Sequence, residues 1–150
     1  MRRTRKLPKR YFAGLSVTKK AQRRREIAKF GALSHRDPAA YVGFKTDIGV
    51  KTKPSSYTEH WYRLFPDAKS LEAKAKATGV PLHYIEASFN RGMAAWRTGH
   101  RPGASQQAWG YARVHSFLLR GKTFYSTDSD LARAAMAHST KAKAWWASLK

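Results

Sequence analysis

Arginine and lysine are the residues of this sequence with the strongest capacity to bind a ligand. The chain has 30 Lys and Arg against nine Asp and Glu, a formal net charge of +21. Guanidinium and ammonium groups bind phosphate and carboxylate oxygens, and so large an imbalance costs folding free energy by self-repulsion. The sequence therefore predicts a polyanionic partner, with nucleic acid first and an anionic membrane or acidic protein surface second.

The excess charge is concentrated at the start of the chain. Residues 1–29 hold 12 basic groups and one acid, whereas residues 30–150 hold 18 basic groups and eight acids. A dense charge run that contains Pro8 does not form a helix, and we therefore expect residues 1–15 to be a flexible basic arm. Its candidate phosphate-binding residues are Arg2, Arg3, Arg5, Lys6, Lys9 and Arg10.

A short helix is predicted over residues 17–30, directly after the arm. Ala21, Ile27 and Phe30 are the apolar residues expected to face inward, and Gly31 should end the helix. Most of the remaining surface is basic, which is typical of a helix that lies along a polyanion. Further candidate phosphate-binding residues are therefore Lys19, Lys20, Arg23, Arg24 and Arg25.

Four more candidate arginines lie in the most apolar part of the sequence, residues 82–121. One predicted helix has a single apolar face made by Leu82, Ile85, Phe89, Met93 and Trp96. A Gly/Pro turn leads to a second helix over about 106–120. Guanidinium groups beside a helix N-terminus can bind phosphate. The alternative is a structural role, in which the arginines pack on Trp96 and Trp109. The four candidates are Arg91, Arg97, Arg101 and Arg113.

Catalytic and metal-binding patterns are not found in the sequence. The six histidines are dispersed, cysteine is absent, and the close acidic pair Asp128 and Asp130 suits a helix cap as well as a metal site. No glycine-rich loop is followed by the Lys-Ser/Thr pair of a nucleotide-binding site. We therefore expect a non-enzymatic protein with no catalytic residue, metal, cofactor or small-molecule substrate.

The secondary structure predicted around these side chains is mostly helical. Apolar residues recur at helical spacing, and Ser56, Gly79 and either Asp67 or Ser70 are typical of helix ends. The expected fold class is mainly α, a compact bundle of about five or six helices that forms a single domain over residues 16–150. Residues 41–53 are the exception, because two short extended pieces there are expected to form a hairpin.

A helix-turn-helix is one interpretation of the middle of the chain. Ala75, Gly79, Val80 and Ile85 have the spacing of such a unit, and the outward residues of its second helix could reach a DNA groove. Any two short helices joined by a glycine would carry the same four residues, however. The pattern therefore favours a plain helical hairpin and leaves the DNA-reading unit as the alternative.

A last helix is predicted after residue 127, with one apolar stripe from Leu131 to Leu149 and a potential interruption at Ser139. Trp145 and Trp146 lie in this helix. Packing of both indoles in the core is the default expectation. The alternative is an exposed patch that docks another protein or stacks on single-stranded nucleic acid.

Two stretches of the sequence carry a resemblance to a known family. They are FKTDIGVKTKPSSYT, residues 44–58, and GVPLHYIEASFNRGMAAWRTGHRPGASQQAWGYARVHSFLLRGKTFYSTDSDLA, residues 79–132. Over about residues 41–133 the chain resembles a small domain family of large double-stranded DNA viruses of algae, with variants in marine tailed phages. The resemblance implies a viral protein carried in the particle, and it brings no catalytic residues with it.

These observations predict a virion-associated basic protein that binds viral DNA, expected to be double-stranded, mainly through phosphate contacts and largely without sequence preference. Its location would be the virion and, before packaging, the host nucleus. The alternative is a minor capsid protein that bridges capsid proteins through its basic arm and the anchors Trp145 and Trp146. No apolar run reaches the ~18 residues of a membrane span, but surface contact with a membrane stays open.

Overall fold

The computed structural model describes residues 7–149 of the chain. The candidate residues Arg2, Arg3, Arg5 and Lys6 lie outside this range. Over the described range the protein has short 3-10 turns and eight α-helices, with no strand, so the mainly α fold class is confirmed. The helices are α1 (Val17–Gly31), α2 (Ser56–Leu64), α3 (Leu71–Thr78), α4 (Leu82–Trp96), α5 (Gln106–Leu118), α6 (Lys122–Tyr125), α7 (Ser129–His138) and α8 (Thr140–Ser148).

The chain divides into two compact units. Unit 1 consists of Met1–Lys53 together with Ala94–Ser105, and unit 2 consists of Pro54–Met93 together with Gln106–Lys150. The first unit therefore takes in α1 and the turn that follows α4, whereas the second holds α2, α3 and α5 to α8 and most of α4.

Unit 1 is built on an aromatic cluster beneath α1. Phe12, Ile27, Phe30 and Phe44 are buried together, and the rings of Phe30 and Phe44 stack with their centroids 5.2 Å apart. Phe12 belongs to a 3-10 turn, Lys9–Phe12, so this part of the predicted arm is anchored to the body of the unit. Apolar burial of this kind holds α1 in place although its sequence is highly charged.

The predicted hairpin in residues 41–53 is wrong. This part of unit 1 forms two 3-10 turns, Pro38–Tyr41 and Lys45–Asp47, and the described residues contain no partner strand for it. Side chains satisfy its backbone instead of a ladder, because the Glu26 carboxylate accepts hydrogen bonds from the amides of Lys45 and Thr46. Short apolar pieces without strict alternation do not specify a strand register.

Unit 2 is a helical core around two tryptophans. Trp61 of α2 and Trp146 of α8 are fully or almost fully buried. They belong to one cluster with apolar residues of α4, α5 and α7, among them Ile85, Phe117 and Leu131. In this unit, the predicted inward stripe of α4 contributes Ile85 to the buried core. The other stripe residues of the unit are half-buried, namely Leu82, Phe89 and Met93.

Helix ends explain why there are more helices than predicted. Ser139 is extended, and its hydroxyl accepts a hydrogen bond from the Ala142 amide, so the predicted C-terminal helix breaks into α7 and α8. Gly79 ends α3 at φ 80 as predicted, and the cap of α3 is Ser70, one of the two predicted candidates. The cap of α2 is Ser55, one residue before the predicted Ser56.

Two negative findings hold for the part of the chain that the structure describes. None of its helices combines the length and apolar character needed to span a membrane. It also contains no group of three or more His, Cys, Asp or Glu side chains arranged to hold a metal ion.

Candidate nucleic-acid interface

The positive charge of the sequence belongs mostly to unit 1. Its residues include 18 Lys and Arg against three Asp and Glu, a formal excess of 15, whereas unit 2 has 12 against six, an excess of 6. Unit 1 is nevertheless the smaller of the two. Unit 1 therefore has the higher density of positive charge.

Helix α1 begins where the Ser16 hydroxyl accepts a hydrogen bond from the Lys19 amide at 3.2 Å. Its inward stripe is Arg23, Ile27 and Phe30, all buried, at a spacing of four and three residues. The expected inward residue Ala21 is exposed instead. A guanidinium group occupies the place where the pattern predicted an apolar side chain.

Arg23 is held by four polar partners inside unit 1, the first of which is the Tyr11 carbonyl, 3.0 Å from its Nε. Its Nη1 donates to the Thr46 hydroxyl at 2.9 Å and to an Asp47 carboxylate oxygen at 2.6 Å, and its Nη2 donates to the carbonyl of His100. The guanidinium also lies 4.6 Å from the centre of the Phe44 ring. Since the side chain is fully buried, the prediction that Arg23 contacts phosphate is wrong, and its role is structural.

Asp47 joins Arg23 to His100. Its second carboxylate oxygen lies 2.6 Å from His100 Nε2, while His100 Nδ1 faces the Trp96 carbonyl at 2.8 Å. Burial alone would raise the pKa of Asp47, but the hydrogen bond and charge of His100, with help from the Gly103 amide and Arg23, lower it.

The other predicted basic residues of α1, together with Lys9 and Arg10 of the arm, are exposed. Along α1, Lys20 and Arg24 line one edge, while Arg25 and Lys29 line the other, each pair four residues apart. Between the two edges lie Val17, Ala21 and Ala28, on the side of the helix opposite Arg23. The predicted residues that the structure leaves open to a partner are Lys9, Arg10, Lys19, Lys20, Arg24 and Arg25.

Lys29 was missed as a candidate, although its spacing from Arg25 could have identified it. Four other exposed cations of unit 1 were also missed because they lie in irregular segments: Arg36, Lys45, Lys51 and Lys53. Short side chains and turns around them leave no periodic pattern to read. These four cations are identified by their exposure in the folded unit.

The predicted arginines of unit 2 are held by carboxylates. Asp128 is fully buried and accepts hydrogen bonds from Ser88 Oγ at 2.8 Å and from Arg113 Nη2 at 2.7 Å. Arg91 donates to both oxygens of Asp130, at 2.9 and 2.8 Å. This bond lowers the pKa of Asp130 to about 2 and, against partial burial, raises the pKa of Arg91.

These contacts join α4, α5 and α7, and the charges of Arg91 and Arg113 are neutralised within unit 2. The two arginines therefore act as internal partners in this structure. The exposed residues of α4 beside Arg91 are His83, Glu86 and Asn90. A helix with that outward surface has no cation to attract phosphate, and the geometry favours the plain helical hairpin.

Arg97 and Arg101 lie in the turn after α4, in unit 1, and both are half-buried. Arg97 Nη1 donates to the carbonyl of Gly31, the last residue of α1, at 3.0 Å. The Trp96 indole N–H is used in the same turn, donating to the Ala104 carbonyl at 2.9 Å. The turn is thus held by its own side chains, and Arg97 contributes to that structure.

Trp145 and Trp146 do not form an exposed pair. Trp146 is 2 % exposed, and its ring packs edge-to-face on Phe117 with centroids 5.3 Å apart. Trp145 is half-buried, and its Nε1 donates to the Leu118 carbonyl at 2.7 Å. The core default is the arrangement that the structure has, and the patch of two exposed indoles is absent from this part of unit 2.

Comparison with known proteins places the chain in a family. Neither a curated protein nor a solved structure matches it significantly. A family model matches residues 8–133, which begins well before the expected start near residue 41 and so takes in the 3-10 turn at Lys9 and the whole of α1. The match covers most of the sequence. The chain therefore belongs to the family of unknown function DUF5824.

Proposed function

We propose that this protein binds duplex DNA through phosphate contacts made by unit 1, without enzymatic activity and largely without sequence preference. The observation that carries the proposal is the difference between cations that are paired with carboxylates and cations that are exposed. Internal carboxylates neutralise the arginines of the core, whereas the cations of α1 and the turns of unit 1 remain exposed and outnumber its three acids. Uncompensated cations of this density bind a polyanion by releasing its counterions.

Helix α1 supports duplex DNA as the form of nucleic acid. Its 15 residues span about 22 Å, and the B-DNA major groove, about 12 Å wide, admits one α-helix. A helix in that groove meets a phosphate backbone on each side. The two basic edges of α1, Lys20 with Arg24 and Arg25 with Lys29, are separated by small residues that allow close approach. Arginine and lysine at these edges position the protein and read little sequence.

The resemblance to a domain family of algal DNA viruses makes a packaged viral genome the proposed target. The protein would then be carried in the virion and pass through the host nucleus before packaging. The alternative of a minor capsid protein needed exposed tryptophan anchors, and the burial of Trp146 gives it no support. DNA therefore stays the preferred partner.

The proposal is tested by the salt dependence of DNA affinity. With on the order of six to ten phosphate contacts, affinity should fall roughly 10³–10⁵-fold between 50 and 200 mM salt. A variant with Lys20, Arg24, Arg25 and Lys29 replaced by Gln should reduce the slope of log affinity against log salt by about 3.6. The measurement is fluorescence anisotropy with a labelled duplex.

The matched control removes four exposed cations of unit 2, Arg63, Lys76, Arg133 and Lys143, again by Gln. It has the same net charge as the α1 variant, and its slope should change by less than about 1. Equal slopes for the two variants would show that total charge, not unit 1, decides binding. A loss of affinity below about tenfold for the unaltered protein over this salt range would contradict the proposal.

A further inference from the structure

Three large aliphatic side chains are exposed in unit 1, and two of them lie outside α1, in an irregular segment that also carries exposed lysines. Ile48 is 79 % exposed and Val42 is 72 % exposed. Both lie on the wall of one surface groove of about 380 Å³. We call Val42 and Ile48 the wedge residues. Single exposed apolar residues are common on proteins, but two on one groove require a closer look at how they are held.

Hydrogen bonds to neighbouring segments fix the turn that leads to Ile48. Glu26 of α1 accepts hydrogen bonds from the Lys45 amide at 2.6 Å and from the Thr46 hydroxyl at 2.5 Å. Asp47 is bonded to Arg23 and His100, and accepts from the Gly103 amide at 3.0 Å. Each of the three residues before Ile48 is thus fixed to a neighbouring segment of unit 1.

Ile48 itself closes this turn, and the chain leaves it through Gly49. The Ile48 amide donates to the Lys45 carbonyl at 3.2 Å, and Gly49 has φ 75, a conformation that favours glycine. The side chain is therefore held outward by a rigid backbone and cannot fold back without breaking these bonds. Rigid presentation of an aliphatic group is suited to insertion into a partner.

The surroundings of the wedge residues indicate what that partner is. Lys45, Lys51 and Lys53 are exposed close to them in the chain, and the carboxylate of Asp47 is already used internally. Lysine is depleted from protein–protein interfaces. By contrast, proteins that bend DNA insert apolar side chains between base steps from the minor groove while cations hold the flanking phosphates.

We propose that Ile48, with Val42 beside it, inserts between base pairs of duplex DNA from the minor groove and kinks the duplex. This inference rests on the proposed function and adds the mode of binding to it. Glu26 and Arg23 tie the turn directly to α1, so the wedge belongs to the same unit as the basic edges of α1. The lysines around Ile48 would contact the phosphates on either side of the kink.

The test is a bending measurement on a duplex of about 25 base pairs that carries a donor and an acceptor dye at its ends. A 2-aminopurine at a central TA step reports unstacking in the same duplex. Binding of the unaltered protein should raise energy transfer, as expected for a kink of about 20–90°, and should raise 2-aminopurine fluorescence. The variant with both Ile48→Ser and Val42→Ser should lose most of both signals at saturating protein.

Two further variants make the result specific. Leu64→Ser removes an exposed aliphatic side chain of unit 2 and should leave both signals unchanged. Ile48→Met keeps an apolar side chain at the wedge position and should retain them. Circular dichroism and thermal unfolding should match among all variants, because the substituted side chains are exposed.

The outcomes separate the two proposals. If the protein binds the duplex with the predicted salt dependence but energy transfer does not change, the wedge is refuted and the proposed function stands. If bending occurs and survives the double substitution, the wedge is refuted as well. If no binding is found at low salt, the proposed function itself fails.

Discussion

His115, in α5, lies fully buried among aromatic rings of unit 2. Its ring stacks on Trp61 with centroids 5.7 Å apart, and its Nδ1 lies 2.9 Å from the Thr58 hydroxyl. The other ring nitrogen, Nε2, is buried with no hydrogen-bond partner within the described part of the chain. Burial, reinforced by the nearby charge of Lys74, lowers the pKa of His115 to about 3. The folded protein therefore keeps this histidine neutral.

Stability should consequently fall in mild acid. Below about pH 6.5 the unfolded chain binds a proton at this position that the folded chain does not bind. The free energy of unfolding should decrease by about 1.4 kcal/mol per pH unit from this residue, or about 2–3 kcal/mol between pH 6.5 and 4.5. His115→Gln should remove that part of the pH slope. Urea unfolding at several pH values measures it.

The control for this prediction is His60→Gln in α2, because His60 is exposed. It should leave the slope unchanged. A His115→Gln protein whose stability still falls as steeply over the same pH range would show that another group is responsible. The slope is the readout, because the substitution can also lower stability at every pH through lost packing.

Lys74 is buried in the same region and shows how unit 2 tolerates a cation. Its Nζ donates to the carbonyls of Ala68 at 2.6 Å and Lys69 at 2.9 Å, and the rings of Trp61, Tyr62 and Tyr111 lie within 5.1 to 5.5 Å of it. Burial lowers its pKa to about 8. Carbonyl oxygens and ring faces replace water around the ammonium group.

At the scale of elements, α4 and α5 approach each other through glycines in unit 2. A Cβ atom at Gly92 would lie 2.9 Å from the Gly110 Cα, and one at Gly110 would lie 2.8 Å from the Phe89 ring. Both distances are shorter than van der Waals contact. The two helices can therefore cross here only because neither position carries a side chain.

Alanine at Gly110 should therefore destabilise the protein. The helix propensity of alanine would by itself add about 1 kcal/mol of stability, but overpacking against Phe89 should cost about 1–3 kcal/mol and more than cancel it. The matched control is Gly31→Ala in α1, where the nearest atom to an added Cβ is 3.8 Å away. Urea midpoints measure both; equal or higher stability of Gly110→Ala would contradict the close approach.

At the scale of the whole molecule, the net charge of +21 acts against folding. Like charges in the compact state repel, and salt weakens that repulsion. Salt alone should therefore raise the melting temperature of the free protein. A bound polyanion should do the same at low salt by a different route, because it stabilises the folded state by mass action.

The two effects predict opposite salt dependences with and without DNA. Free duplex at about 100 times Kd should stabilise the protein by about 2.7 kcal/mol, which is roughly 5–10 °C for a chain of this size. This shift should shrink as salt rises and DNA dissociates. Differential scanning fluorimetry with and without duplex measures this shift. A melting temperature that does not change when duplex is added at low salt would refute binding to the folded state.

The charge asymmetry and most of the helices could be predicted from the sequence. Composition alone sets the charge, and helix propensity, caps and 3.6-residue spacing are local properties, so Ser70, Gly79 and the span of α1 follow from neighbouring residues. The break of the last helix at Ser139 could be anticipated for the same reason.

Contacts in the folded chain set which cations are exposed and which are paired internally. Arg23 and Arg24 are neighbours of the same type, yet one is buried against Asp47 and the other is exposed. Their difference depends on a carboxylate 24 positions away in the chain, and the pairing of Arg113 with Asp128 is likewise non-local. The 3-10 turn that exposes Ile48 depends on Glu26 and His100. Charge is read from composition, but its availability depends on contacts between distant residues, which only folding brings together.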